Sequence, residues 1–224
     1  WHIGETIKKC ARTYSNQLNL MEQYPEYKFV QSSAYHSEVL RVHYPELFER
    51  IRQKVLEGRY EPNGGVWVEC DCNITSGESM IRQFLWGQRF TRKYFNYTSD
   101  SFWLPDTFGY SAAIPQIMKG CGVKYFLTTK MAWNDTNQFP YDTFYWKGID
   151  GTKVFAHLNK THVWPAPKDF YQYVYSTKSP AAIRQKYVAN KKLISYGFGD
   201  GGGGPQFEMI EMARRCRDLE GCPK

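Results

Sequence analysis

Short apolar runs of strand type alternate along this chain with longer segments of helical period, and that rhythm limits the fold more than any other feature. Ile7, Ala11, Tyr14, Leu18 and Met21 fall on one stripe between Glu5 and Tyr24, as on a helix that packs by one face. Pro25 ends this segment and YKFVQ follows as a strand. PELFERIRQKVLEG opens with Pro45 in a first turn and closes on Gly58, the usual start and stop of a helix. GGVWVE reads as a buried strand ending at Glu69, and Thr75 with Glu78 forms a T-x-x-E capping box ahead of the helix SMIRQFLWGQRFTRKYF. Strand SFWL, helix AAIPQIMKG with Ser111 as its cap, and strand VKYFLTT come next. DTFYWKGIDGTKVFAHL reads as a hairpin turning around Asp150 and Gly151. Helix PAAIRQKYVANK, strand LISYGF and a last helix from Pro205 to Leu219 complete the chain. Strands joined by helical crossovers lie parallel, so the expected class is α/β, with residues 1–224 forming one domain or part of one.

The single polar residues in this pattern fall just past the strand ends. Gln31 follows the first strand, Glu69 and Asp71 the second, Asp106 the third, Thr128 and Lys130 the fourth, and Asp200 the last. In parallel α/β folds that edge carries the site, so Gln31, Glu69, Asp71, Asp106 and Asp200 are expected around one cleft. Asp106 stands among Trp103, Phe108 and Tyr110. Rings in such a place tune a carboxylate and stack on sugar faces, although a helix cap is the structural alternative. WVECDCN sets Glu69, Asp71 and Asn73 beside Trp67, a group suited to hydroxyl recognition if it is not simply scaffold. GDGGGGP has no following G-K-[ST], which excludes a P-loop. It is either a flexible loop or one that brings backbone to a ligand with Asp200 as acid or base. His2, His36, His43, His157 and His162 form no H-x-H or H-E-x-x-H pair, so none is assigned to a metal.

The totals narrow the function classes. The +7 net charge comes from Lys and Arg interleaved with Glu in FERIRQKVLEGR and EMARRCRDLEG. That is the pattern of solvated helix faces, and it argues against nucleic acid as a partner. No apolar run approaches the length of a membrane span. Aromatic residues make up 17% of the chain, enough to line a sugar site as well as a core. Six cysteines without a disulfide framework point to a reducing compartment. Four N-x-S/T sequons, at Asn73, Asn96, Asn134 and Asn159, point instead to secretion. The chain opens on Trp1, so a native N-terminus is expected upstream.

Five blocks in order carry a resemblance: ETIKKCARTYS, GGVWVECDCNITSGESMIRQFLWGQRF, WLPDTFGYSAAIPQIMKGCGVKYFLTTKMAWN, FPYDTFYWKGIDGTKVFAHL and YGFGDGGGGP. Together they resemble glycoside hydrolase family 38, the α-mannosidases, and within it the cytosolic and vacuolar branch. The resemblance implies part of a (β/α)7 barrel, incomplete at both ends, that removes terminal α-linked mannose from oligosaccharides with retention of configuration. It implies Asp106 as nucleophile and zinc ligand, Phe108 as an aromatic residue near the bound sugar, and Asp200 as acid/base. Other branches carry a double acid where Asp200 is followed by Gly201, and Cys70 stands where proline is usual. Trp67, Glu69, Asp71 and Tyr110 are the further candidates for binding substrate. The family's H-x-D and downstream histidine zinc ligands have no counterpart here, so the remaining ligands for zinc or another divalent cation are expected outside this chain. The expected compartment is cytoplasmic, with vacuolar or lysosomal as the alternative, and a homo-oligomer of the full-length enzyme is compatible with the resemblance. Two rival readings are a non-catalytic sugar-binding remnant and a metal-dependent carbohydrate deacetylase on a similar barrel.

Overall fold

The computed structural model describes residues 1–176, 182–189 and 191–222. Along the chain these form α1 (Ile3–Gln23), β1 (Phe29–Ser33), α2 (Ala34–His43), α3 (Pro45–Leu56), β2 (Tyr60–Val66), α4 (Gly77–Phe95), β3 (Ser101–Trp103), α5 (Ile114–Gly120) and β4 (Tyr125–Thr128). They continue as β5 (Thr143–Lys147), β6 (Lys153–Leu158), β7 (Lys160–Val163), α6 (Pro167–Tyr175), β8 (Ile194–Tyr196) and α7 (Phe207–Arg217). β1 pairs with β2, β3 with β4, β4 with β6 and β7 with β8, all parallel. β5 runs antiparallel to β6, as the hairpin pattern predicts. The fold is therefore mixed α/β with parallel sheets. Among the described residues the ladders fall into three sheets and do not close into a ring.

Among the described residues three apolar clusters cover the sheets, the smallest being Val163 of β7 with Tyr173 of α6. In the first, Leu18 and Met21 of α1, Leu40 of α2 and Ile51 of α3 meet Tyr60 of β2. In the second, α4 and α5 bring Met80, Phe84, Ile114 and Met118 against Val66, Phe102, Phe126 and Ala156. Phe84 and Phe102 meet edge to face with centroids 4.9 Å apart, and full burial of each ring is worth about 2–3 kcal/mol. α4 crosses β2 at backbone contact, because a Cβ on Gly87 would stand 2.3 Å from the Val66 carbonyl carbon.

Several local expectations are corrected. β2 begins earlier and ends at Val66, three residues short of Glu69. The cap of α4 is Ser76, whose Oγ accepts the Ser79 N–H, while Glu78 reaches forward to Arg82 at 2.8 Å. The Thr75–Glu78 box is thus displaced by one residue. Ser111 Oγ accepts the Ala113 N–H in the turn before α5 instead of capping the helix itself. Helices α2 and α6 and strand β7 carry no element in the sequence pattern. Of the helix expected over 180–191, residues 180, 181 and 190 lie outside the described residues, and 182–189 form bends and a turn. There the hydrogen bonds go to tertiary partners. Asp142 Oδ2 accepts the Arg184 N–H at 2.7 Å, and Gln185 Oε1 accepts the Asp142 and Thr143 N–H groups at 3.0 Å each.

Candidate active site

A cleft of about 620 Å³ opens where β2, β3, β4 and β8 end. Glu69, Asp106, Lys130 and Asp200 line it, together with Thr13 and Tyr14 of α1 and His36 of α2. Three of the five acids and amides expected around one cleft are therefore brought together.

Asp106 reaches the cleft because the pairing of β3 and β4 continues past the strand itself. The Leu104 N–H donates to Leu127 O at 2.9 Å, and Pro105 O accepts both the N–H and the hydroxyl of Thr129, at 3.2 and 2.6 Å. Phe102 and Leu104 point into the core at 0% exposure. Pro105 then ends the pairing, and the next side chain emerges with its carboxylate 65% exposed. Lys130 Nζ lies 2.9 Å from Asp106 Oδ1. The same ammonium stands 3.7 Å above the Trp133 ring centroid and 5.0 Å from that of Phe108. Phe108 itself is exposed.

Glu69 lies deeper. Ser32 Oγ donates to its Oε1, and its backbone N–H donates to Ser33 Oγ at 3.2 Å. Burial pushes its carboxyl up to about 7; the Ser32 bond opposes this and the negative charge of Asp106 adds to it. At neutral pH it holds a proton part of the time. Tyr14 OH and His36 Nδ1, also in the cleft lining, are 3.2 Å apart, and burial lowers the His36 pKa.

Asp200 sits at the tip of a glycine loop closed by paired backbone bonds between Phe198 and Gly204, at 2.9 and 3.0 Å. Its backbone is left-handed, φ 53°, a conformation that Asp tolerates better than most residues. α1 anchors this loop. Arg12 donates to Gly201 O at 2.8 Å, Thr13 Oγ1 donates to Gly202 O, and Gln17 Nε2 donates to Pro205 O at 3.1 Å. A side chain at Gly204 would begin 2.9 Å from Gln17 Nε2.

The other candidates lie elsewhere. Gln31 is inside β1, buried, donating to Ser33 O and accepting from Ser37 Oγ at 3.1 Å. Asp71 is exposed outside the cleft, where Oδ1 accepts the Asn73 and Ile74 N–H groups at 2.8 and 2.9 Å. Those bonds hold its carboxyl below the ordinary range. Trp67 packs between Tyr35 and Phe90, both at 5.8 Å. Tyr110 bonds Thr128 through its hydroxyl and sets its ring edge-on to Phe126 at 5.6 Å. It therefore ties the segment after Asp106 to β4. Asn73 braces the same loop, for a Cβ on Gly109 would fall 1.9 Å from its Nδ2. Tyr14, His36 and Trp133 are among the cleft residues the pattern did not single out.

Among the described residues no group of three or more His, Cys, Asp or Glu side chains converges to hold a metal. The cation beside Asp106 is Lys130. These residues alone do not fit a zinc ion.

Residues 1–224 match the family model described as the glycosyl hydrolases family 38 N-terminal domain. Alpha-mannosidase G of Dictyostelium discoideum is 45% identical over 224 residues, covering 100% of this chain and 20% of the relative. Alpha-mannosidase 2C1 of Homo sapiens is 44% identical over 228 residues, covering 100% of this chain and 21% of the relative. The chain spans about a fifth of the length of the curated relatives it matches. Among solved structures, an alpha-mannosidase from Enterococcus faecalis V583 superposes with TM-score 0.60 at 23% identity, over 68% of this chain and 17% of that one. That likeness concerns the fold.

Proposed function

The chain belongs to glycosyl hydrolase family 38, and from that premise we propose that its full-length protein is an α-mannosidase that removes terminal mannose from oligosaccharides by a retaining mechanism. One observation carries the reading: a carboxylate delivered by a core strand, Asp106, shares a cleft with Asp200 and Glu69. Retaining glycosidases use two carboxyl groups. Asp106 attacks the anomeric carbon while Asp200 protonates the departing oxygen, and Asp200 then takes the proton of the water that releases the sugar. Glu69, which lines the cleft and whose carboxyl burial pushes up to about 7, binds a sugar hydroxyl. Phe108, exposed beside Lys130, offers a ring face to the sugar.

The proposal extends to the fold and the surroundings. The three sheets are part of a (β/α)7 barrel. Should the full-length protein hold a divalent cation such as zinc, Asp106 would be one ligand and the others would come from outside this chain; the ion would grip sugar hydroxyls, and no step above depends on it. Six free thiols suit a cytoplasmic compartment. The sequon at Asn159 speaks against glycosylation, because that side chain is buried and donates to Ser195 Oγ at 2.6 Å.

The test is hydrolysis of an aryl α-mannoside by the full-length protein, with and without a chelator, reading the first-formed sugar by proton NMR. α-Mannose is expected first. No hydrolysis with divalent metal supplied, or β-mannose first, overturns the reading.

A further inference from the structure

Lys130 lines the cleft, and none of the steps above uses its contacts. Its side chain is 14% exposed although its ammonium faces an open cleft, and three groups fix it there. Asp106 Oδ1 accepts from it at 2.9 Å, Trp133 lies beneath it at 3.7 Å and Phe108 at 5.0 Å. Trp133 and Phe108 are 74% and 77% exposed. Rings so exposed contribute little to a core, but a cation over a ring face is attracted by its quadrupole. Lys130 follows β4, next to the Thr129 that locks Pro105, so ammonium and carboxylate are referred to the same pair of strands.

We propose that Lys130 is a positioning residue for Asp106, held by Trp133 and Phe108, whose ammonium favours the return of the Asp106 carboxylate when the sugar is released. The inference rests on the α-mannosidase reading and goes beyond it by dividing the two chemical steps. In the first, an Asp106 oxygen bonds the anomeric carbon, the glycosidic C–O bond breaks, and the leaving oxygen takes its electron pair and a proton from the general acid. The carboxylate charge disappears, so the ion pair with Lys130 is lost. In the second, water bonds the anomeric carbon and gives up a proton to the general base. The ester C–O bond breaks, and its electron pair returns to Asp106 as a full negative charge 2.9 Å from the ammonium. A neighbouring cation therefore restrains attack slightly and assists release.

The experiment is steady-state and rapid-mixing kinetics of the full-length protein on an activated aryl α-mannoside. Lys130→Met keeps the stem against the rings and removes the charge. A charged hydrogen bond of this type is worth roughly tenfold or more in rate. Release should slow by that factor while attack changes little. kcat and KM should then fall together with kcat/KM nearly unchanged, and a burst of aryl alcohol close to one equivalent per enzyme should appear. Lys130→Arg should recover most of kcat, and Trp133→Leu should move kcat and KM in the same direction by less. A Lys130→Met enzyme in which kcat/KM falls with kcat and no burst appears overturns the inference. Should that variant fail to fold, unchanged kinetics in Trp133→Leu together with a Lys130→Arg enzyme as slow as a general loss of activity do the same. An unaltered protein without activity overturns the functional reading and this inference with it.

Discussion

Glu69→Gln should stabilise this chain at pH 8 and leave it nearly unchanged at pH 4. The carboxyl titrates at about 7 in the fold against 4.5 ordinarily, chiefly because burial penalises its charged form. The native state holds that proton more tightly than the unfolded chain does. The stability it confers is complete below 4.5 and is lost as pH rises from 4.5 to 7. A shift of this size corresponds to about 3 kcal/mol at pH 8. Glutamine keeps a carbonyl oxygen for the Ser32 hydroxyl and carries no charge to desolvate, so the variant avoids that cost. For a chain of this length about 3 kcal/mol is roughly 6–12 °C in Tm. The assay is thermal or urea unfolding of both chains from pH 4 to 8, followed by circular dichroism. The difference between them should grow through the interval from 4.5 to 7. A constant difference, or a variant less stable at pH 8, would refute the reasoning.

Three further outcomes are expected. Gly87→Ala should cost at least about 1–3 kcal/mol in urea unfolding, because the new methyl meets Val66 backbone at the α4–β2 crossing; a change within 0.5 kcal/mol would show that the helix sits farther from the strand. Isothermal titration of the 224-residue chain with zinc should give no tight site, since zinc sites take three or four protein ligands and no group of three converges among the described residues. Stoichiometric tight binding would contradict this. In the full-length protein Asp200→Asn should lower kcat about 10²–10⁴-fold on poor leaving groups and much less on activated ones; an equal loss on both would remove Asp200 as the acid.

The strand-end acids were legible in the sequence for a physical reason. A strand of alternating burial followed by an abrupt polar residue marks both the element and the edge where it stops. Asp106 after Phe102 and Leu104 shows the pattern, and the continued pairing through Pro105 and Thr129 explains why it works. The same logic does not assign direction. Trp67 and Tyr110 stand beside the right residues, yet their rings turn toward Phe90 and Phe126, and a large ring at a strand end serves a core as readily as a sugar. Gln31 lies inside the strand, because β1 runs on two residues to Ser33. Helix α2 was hidden because β1 passes into it at Ala34 with no turn residue between them. Tyr14 and His36 reach the cleft through the packing of α1 and α2, and Trp133 through Lys130. These are tertiary facts that no local period records. The Asp142 and Gln185 bonds that replace the expected helix around 182–189 are of the same kind.

The central claim is that Asp106 carries the sugar between the two steps. Treating the full-length protein with an activated fluorinated mannosyl fluoride, digesting it and sequencing the modified peptide tests this directly. The account predicts one added sugar, on Asp106 within SFWLPDTFGYS, and no label in Asp106→Asn. A label on Glu69, Asp200 or any other carboxylate, or an unlabelled enzyme that releases β-mannose, would contradict it.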